Sequence, residues 1–193
     1  MEEEKWAATG PTGFTAFSVV CFIIFLSLNG YVPKQNMPVF FAVLTAGAIA
    51  QILAGMVELK RGMATGGNLL LTFGTMFMFG PALTFLLTGL NIASPHPLIG
   101  YVNIVLGIVL GIYMIPLLRA PVMVFLIGPM GFSVLTSLGL AELGFVAFKP
   151  IASILFAVSI IYGLYMMAHG LGEAAHIHIP VGKPLMPMKP PQK

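Results

Sequence analysis

From Gly62 through Leu118 the chain carries no Asp, Glu, Lys or Arg. That stretch is too long for one buried helix and fits two or more membrane spans of about 20 residues each. Soluble domains average about 25% charged residues, whereas this chain of 193 residues is 8% charged and 58% hydrophobic. The chain therefore reads as an all-α integral membrane protein. Its net charge of +3 comes from basic residues that flank apolar segments. That is how membrane topology is written, and it argues against a nucleic-acid partner. The single cysteine, Cys21, lies in an apolar run and cannot form an intrachain disulfide. The acidic start "MEEEKW" is unlike the basic start of a cleavable signal, so none is expected.

Apolar runs bounded by Pro, Gly, Asn and charge give six spans, at about 14–28, 37–59, 67–90, 97–118, 121–140 and 151–170. They form one six-helix transmembrane domain over 1–182. A basic, proline-rich tail follows at 183–193 and is expected to be extended and poorly ordered. An even number of spans puts both termini on one side, together with Lys5, Lys60, Arg61, Arg119, Lys183, Lys189 and Lys193. Only Lys34 and Lys149 fall opposite. The positive-inside rule then predicts a multi-pass plasma-membrane protein with both termini in the cytoplasm.

Small residues let membrane helices approach closely. In the second span Ala46, Ala50 and Ala54 repeat every fourth position, and Gly47, Gln51, Gly55 and Glu58 fall on the adjoining stripe. Gly107 and Gly111 form a GxxxG in the fourth span, and the fifth carries Gly128, Gly131 and Gly139. Pro81 and Pro129 sit inside spans, where each deletes a helix hydrogen bond and predicts a kink.

Polar groups at membrane depth should face the bundle or a wet cavity, and the candidates are Gln51, Asn68, Thr72, Thr75, Asn103, Thr136 and Ser137. Asn68, Thr72 and Thr75 share one face of the third span, as pathway lining or as interhelical hydrogen bonding. Glu58, beside Lys60 and Arg61, predicts an ion cluster at the cytoplasmic end of the second span. Glu142 and Glu173 also fall at span ends, so no carboxylate is expected near the midplane. His169, Glu173, His176 and His178 have ligand chemistry, but no HExxH pattern accompanies them and interfacial histidines are the better reading. With no nucleophile–base arrangement, phosphate loop or dinucleotide fingerprint, the chain is not read as an enzyme, and no metal or cofactor is expected. Compact packing with uncharged polar stripes suggests passage of a small solute.

The stretch "AGAIAQILAGMVELKRGMATGGNLLLTFG" resembles the acetate/succinate permease family, the acetate uptake transporters. Their pattern G-G-x-x-Q-x-x-A-G-x-x-E-[FY]-[KR]-[KR]-G is followed without a gap at Gly47, Gln51, Ala54, Gly55, Glu58, Lys60, Arg61 and Gly62, then at Gly66, Thr72 and Gly74. The ending Ile179-Pro180-Val181-Gly182 is also similar to the family's L-P-[IV]-G. The family motif N-P-[AV]-P-[LF]-G-L before the first span is represented here by "ATGPTGF". Pro11 and Gly13 are kept, while Ala8 and Thr9 replace Asn and Pro. The resemblance implies a hexamer with one pathway per subunit and acetate or another short monocarboxylate, with succinate as a further candidate, as cargo by channel or symport. It also implies a hydrophobic constriction with Phe17 from the first span and Phe73 from the third. The fifth-span member falls in one of three registers, Leu126, Pro129 or Met130. On this reading Gln51 packs or lines the pathway, and Glu58 fixes the cytoplasmic loop. A six-span channel for a neutral solute such as urea or a short amide is the alternative, and a non-transporting membrane subunit a third.

Overall fold

The computed structural model describes residues 6–92 and 97–186. It contains six helices long and apolar enough to cross a membrane. They are α1 (Gly10–Leu28), α2 (Met37–Lys60), α3 (Ala64–Gly89), α4 (Leu98–Leu117), α5 (Val122–Glu142) and α6 (Phe148–Ala174). The protein is a multi-pass membrane protein of six helical spans. α1 begins four positions earlier than its apolar run, because Gly10 and Pro11 form its first turn, where the missing proline N–H costs nothing. α6 likewise extends past its apolar stretch through His169 and Glu173.

Successive helices pack side by side, and α1 and α6 also share a long interface, so the spans close into a ring. The seam between α3 and α4 is the slightest around it. Outward-facing Ile, Leu, Val and Phe side chains such as Ile49, Ile108, Ile154 and Ile161 are half or more exposed, as a lipid-facing surface requires.

Glycines set the spacing of the ring. A Cβ at Gly139 would lie 2.5 Å from the Gly100 carbonyl oxygen, so α4 and α5 touch backbone to backbone. A Cβ at Gly55 would lie 2.9 Å from the Gly67 carbonyl oxygen, which joins α2 to α3 in the same way. A Cβ at Gly163 would run into Ser18 Oγ and sit 2.9 Å from the Phe17 ring, closing α6 on α1.

Two helices are irregular, and a proline explains each. α3 winds as a π-helix over Phe73–Phe79, and the Gly80 N–H donates to the Thr75 carbonyl five residues back. Pro81 has no N–H for the carbonyl of Phe77, its partner in α winding, so a spacing of five offers that carbonyl the next residue instead. In α5 a short segment, Val122–Phe125, is followed by Ile127–Glu142. Phe125 lies four residues before Pro129 and loses its donor for the same reason.

The segment after α6 folds back. Met123 N–H, one of the first amides of α5 and without a partner inside that helix, donates to the Val181 carbonyl at 3.0 Å. Met186 N–H donates to the Leu118 carbonyl at 2.9 Å, and the Tyr165 hydroxyl donates to the Pro180 carbonyl. The expectation of a poorly ordered tail from 183 onward therefore fails at its start, where 183–186 lies against the α4–α5 connection. Residues 187–193 fall outside the described residues.

We expect Gly139→Val to force α4 from α5 and to destabilise the protein by about 2–3 kcal/mol, as overpacking of a tight contact does. Thermal unfolding of the detergent-purified protein measures this, and Gly66→Ala, where nothing lies within 4 Å of an added Cβ, should leave the midpoint nearly unchanged.

Candidate functional site

The ring encloses two cavities along its axis. One, of about 360 Å³, opens on the side of the termini and is lined at its mouth by Pro11, Glu58, Arg61 and His169. Deeper in, Phe17, Cys21, Gln51, Phe73 and Leu135 form its wall. The other, of about 330 Å³, lies toward the opposite ends of the spans and is lined by Ser27, Phe40, Thr84, Thr88, Asn103 and Glu142, among others. Each could hold a short carboxylate with several waters, which take about 30 Å³ apiece.

The mouth of the terminus-side cavity is held by Glu58, which is only 6% exposed. Arg61 Nη1 donates to both its oxygens, at 3.0 and 2.8 Å. From α1's first turn, the Thr9 N–H donates to Glu58 Oε1 at 2.8 Å. The Thr9 hydroxyl lies 2.9 Å from the Ala54 carbonyl and 3.0 Å from Glu58 Oε1, so it can donate to either. A proline, as in the motif that "ATGPTGF" resembles, could make none of these bonds. Thr9 thus forms a clasp between α1 and α2. The remaining basic neighbour, Lys60, places its Nζ 3.9 Å from the Trp6 ring centre instead of on Glu58.

Gln51, 2% exposed, lines the terminus-side cavity from α2. Its Oε1 is buried with no hydrogen-bond partner. A buried amide left unpaired costs free energy, and native structures keep few of them. Asn103 is just as buried, but its Nδ2 donates at 2.8 Å to Glu142 Oε2, so the far-side cavity holds a paired amide and carboxylate.

Other expected residues lie elsewhere. Asn68 and Thr75 are exposed on the outside of α3, and Thr72 is half-buried; none lines either cavity. Asn68 donates to the Ala64 carbonyl at 2.9 Å and Thr75 to the Leu71 carbonyl at 2.8 Å, which lets an outward polar group satisfy itself one turn back. Leu126 is 39% exposed, and Met130 packs against the core from the same neighbouring stripe. Pro129 lines neither cavity. The α5 residues that line the cavities are Val124, Ile127, Gly131, Val134 and Leu135 on the terminus side and Leu138 and Glu142 on the far side. None of the three registers considered for the fifth span lines either cavity.

His169 ties α6 to the segment that follows it. His169 Nδ1 donates to the Ile179 carbonyl at 2.9 Å, and its Nε2 lies 3.5 Å from Glu173 Oε1. His176 and His178 are exposed. Among the described residues no three potential metal ligands gather.

The fold is that of the bacterial acetate channel SatP. The two superpose with a TM-score of 0.82 over 92% of this chain and 100% of that one, at 20% sequence identity. No protein-family model and no curated protein sequence matches the chain. The likeness to SatP bears out, at the level of the fold, the resemblance carried by the second span.

We expect Thr9→Pro to lose every contact of the clasp and to strain a residue whose φ of −106° proline does not favour. A drop of about 2 kcal/mol in unfolding free energy follows from losing hydrogen bonds to a charged group. Thr9→Val keeps the N–H and should lose about half of that. Equal melting temperatures for the two variants would show that the N–H does not hold Glu58.

Proposed function

We propose that the protein carries acetate and similar short monocarboxylates, with succinate at the upper limit of size, across the plasma membrane. Each subunit has its own pathway, the subunits assemble as a hexamer, and both termini face the cytoplasm. The observation that carries this reading is a SatP-like ring whose axis holds two cavities, one of them lined by the buried amide of Gln51. The SatP name supplies the solute class; the cavity explains how such a solute could be held.

A carboxylate leaving water must replace its hydration or cross protonated. In the terminus-side cavity Gln51 offers its amide to either form: the amino group donates to a carboxylate, and the oxygen accepts from a carboxylic acid. Phe17 and Phe73 line the same cavity and supply the apolar constriction, and Leu135 is the α5 residue we assign as its third member. A throat of two phenylalanines and a leucine has no hydroxyl to help a large polar solute through, so it favours the smallest carboxylates. Glu58, Arg61 and Lys60 hold the mouth in shape, and Pro11 and Gly13 set α1 against it.

Labelled acetate uptake into proteoliposomes tests the reading. We expect protein-dependent uptake that formate and propionate compete for and that urea does not. Competition by urea with no effect of formate would replace the carboxylate by a neutral amide as cargo, and uptake equal to that of empty liposomes would remove the transport function altogether.

Gln51→Leu should lower acetate flux by about 10- to 100-fold, the loss that a hydrogen bond of about 1.5–3 kcal/mol to a charged group implies. It should leave the melting temperature unchanged or higher, because it removes a buried unpaired oxygen. A fall in melting temperature with unchanged flux would make Gln51 a packing residue.

A further inference from the structure

The two cavities meet at one side chain. Phe77 lines both, and no other described residue does. It is 4% exposed, and its ring stands edge-on to Phe73, with centres 6.4 Å apart and planes at 62°. On α5, Leu135 borders the terminus-side cavity and Leu138 the far-side one, so the partition sits at one level across the ring. Phe17 and Phe73, by contrast, line only the terminus-side cavity.

We infer that Phe77 is the gate between the two cavities, one turn beyond the Phe17–Phe73 constriction. The inference rests on reading the two cavities as one route. The route is then two chambers in series, with Cys21 in the chamber on the terminus side of the gate. Solute that has passed Phe73 waits beside Gln51 until the Phe77 ring moves aside.

The winding of α3 gives the ring a way to move. Phe77 lies in the π segment, where each residue advances by less of a turn than in an α-helix. Rewinding to α would swing Phe77 about the helix axis and away from the junction. In the α form the Phe77 carbonyl would find no N–H at Pro81, and an unpaired carbonyl in an apolar setting is costly. The closed, π-wound arrangement is therefore the resting one. Pro81 itself lines the far-side cavity, so the residue that sets the winding is within reach of the solute.

Cys21, the only cysteine in the chain, reports on the gate. It is 1% exposed and lines the terminus-side cavity alone. In proteoliposomes sorted so that only the far face meets the medium, an impermeant anionic thiol reagent (2-sulfonatoethyl methanethiosulfonate) is added and Cys21 modification is followed by mass spectrometry. We expect Phe77→Ala to be modified about tenfold faster than the wild type or more, a change that needs only about 1.4 kcal/mol off the barrier to entry. Phe77→Leu should fall between them and carries the test if the alanine variant does not fold. The Cys21→Ser/Phe77→Ala double variant sets the blank. Folded Phe77 variants labelled from the far face no faster than the wild type would overturn the gate. Labelling needs no acetate movement, so a protein that shows this pattern and transports no acetate would sink the proposed cargo and leave the gate standing.

Discussion

Inside hydrocarbon a backbone N–H or C=O must find its partner within the protein, and the architecture follows from that constraint. It makes all six spans helical, and it decides what happens where a proline withholds a donor. At Pro81 the helix changes its winding to π; at Pro129 it breaks after Phe125. Both adjustments occur on helices whose inner faces line the axis. The same requirement draws the chain end back, since the Met123 N–H in the first turn of α5 takes the Val181 carbonyl as its acceptor. Irregular backbone in this protein is thus placed beside a cavity or at a helix terminus, where its polar groups can be satisfied.

Much of this was legible in the residues. The charge-free stretch and the apolar runs foretold six spans, and Gln51 and Glu58 stood out as polar groups at fixed spacing in an oily segment. Both do line the terminus-side cavity. The polar stripe of α3 illustrates why periodicity alone is insufficient. It shows that Asn68 and Thr75 share a face, but not whether that face turns in or out, and a side chain that bonds one turn back needs no neighbour. In α5 the inward stripe of Ile127, Gly131 and Leu135 lies one position on from Leu126 and Met130, an offset that a span apolar on every side does not reveal. Phe77 escaped notice as one phenylalanine among 15. Its signal was Pro81, four residues later, which marks the Phe77 carbonyl as the one in need of a donor.

The two buried amides show how one residue chemistry takes two roles. Asn103 spends its donor on Glu142 within the protein, and the pair becomes part of the wall. The Gln51 side-chain oxygen has no such partner. The difference lies in the neighbours. α5 brings a carboxylate to Asn103, while the helices around Gln51 bring Phe17, Cys21 and Phe73.

The shared interface of α1 and α6 bears on how the protein is made. The first helix to enter the bilayer must wait for the last before its inner face is covered. Until α6 arrives, Phe17 and Ser18 are open to lipid or to an insertion factor, and the terminus-side cavity lacks the wall that Phe156, Ser159 and Met166 supply. A chain that stalls before α6 is five helices of a ring open at one seam, with its terminus-side cavity facing lipid and its far-side cavity already lined.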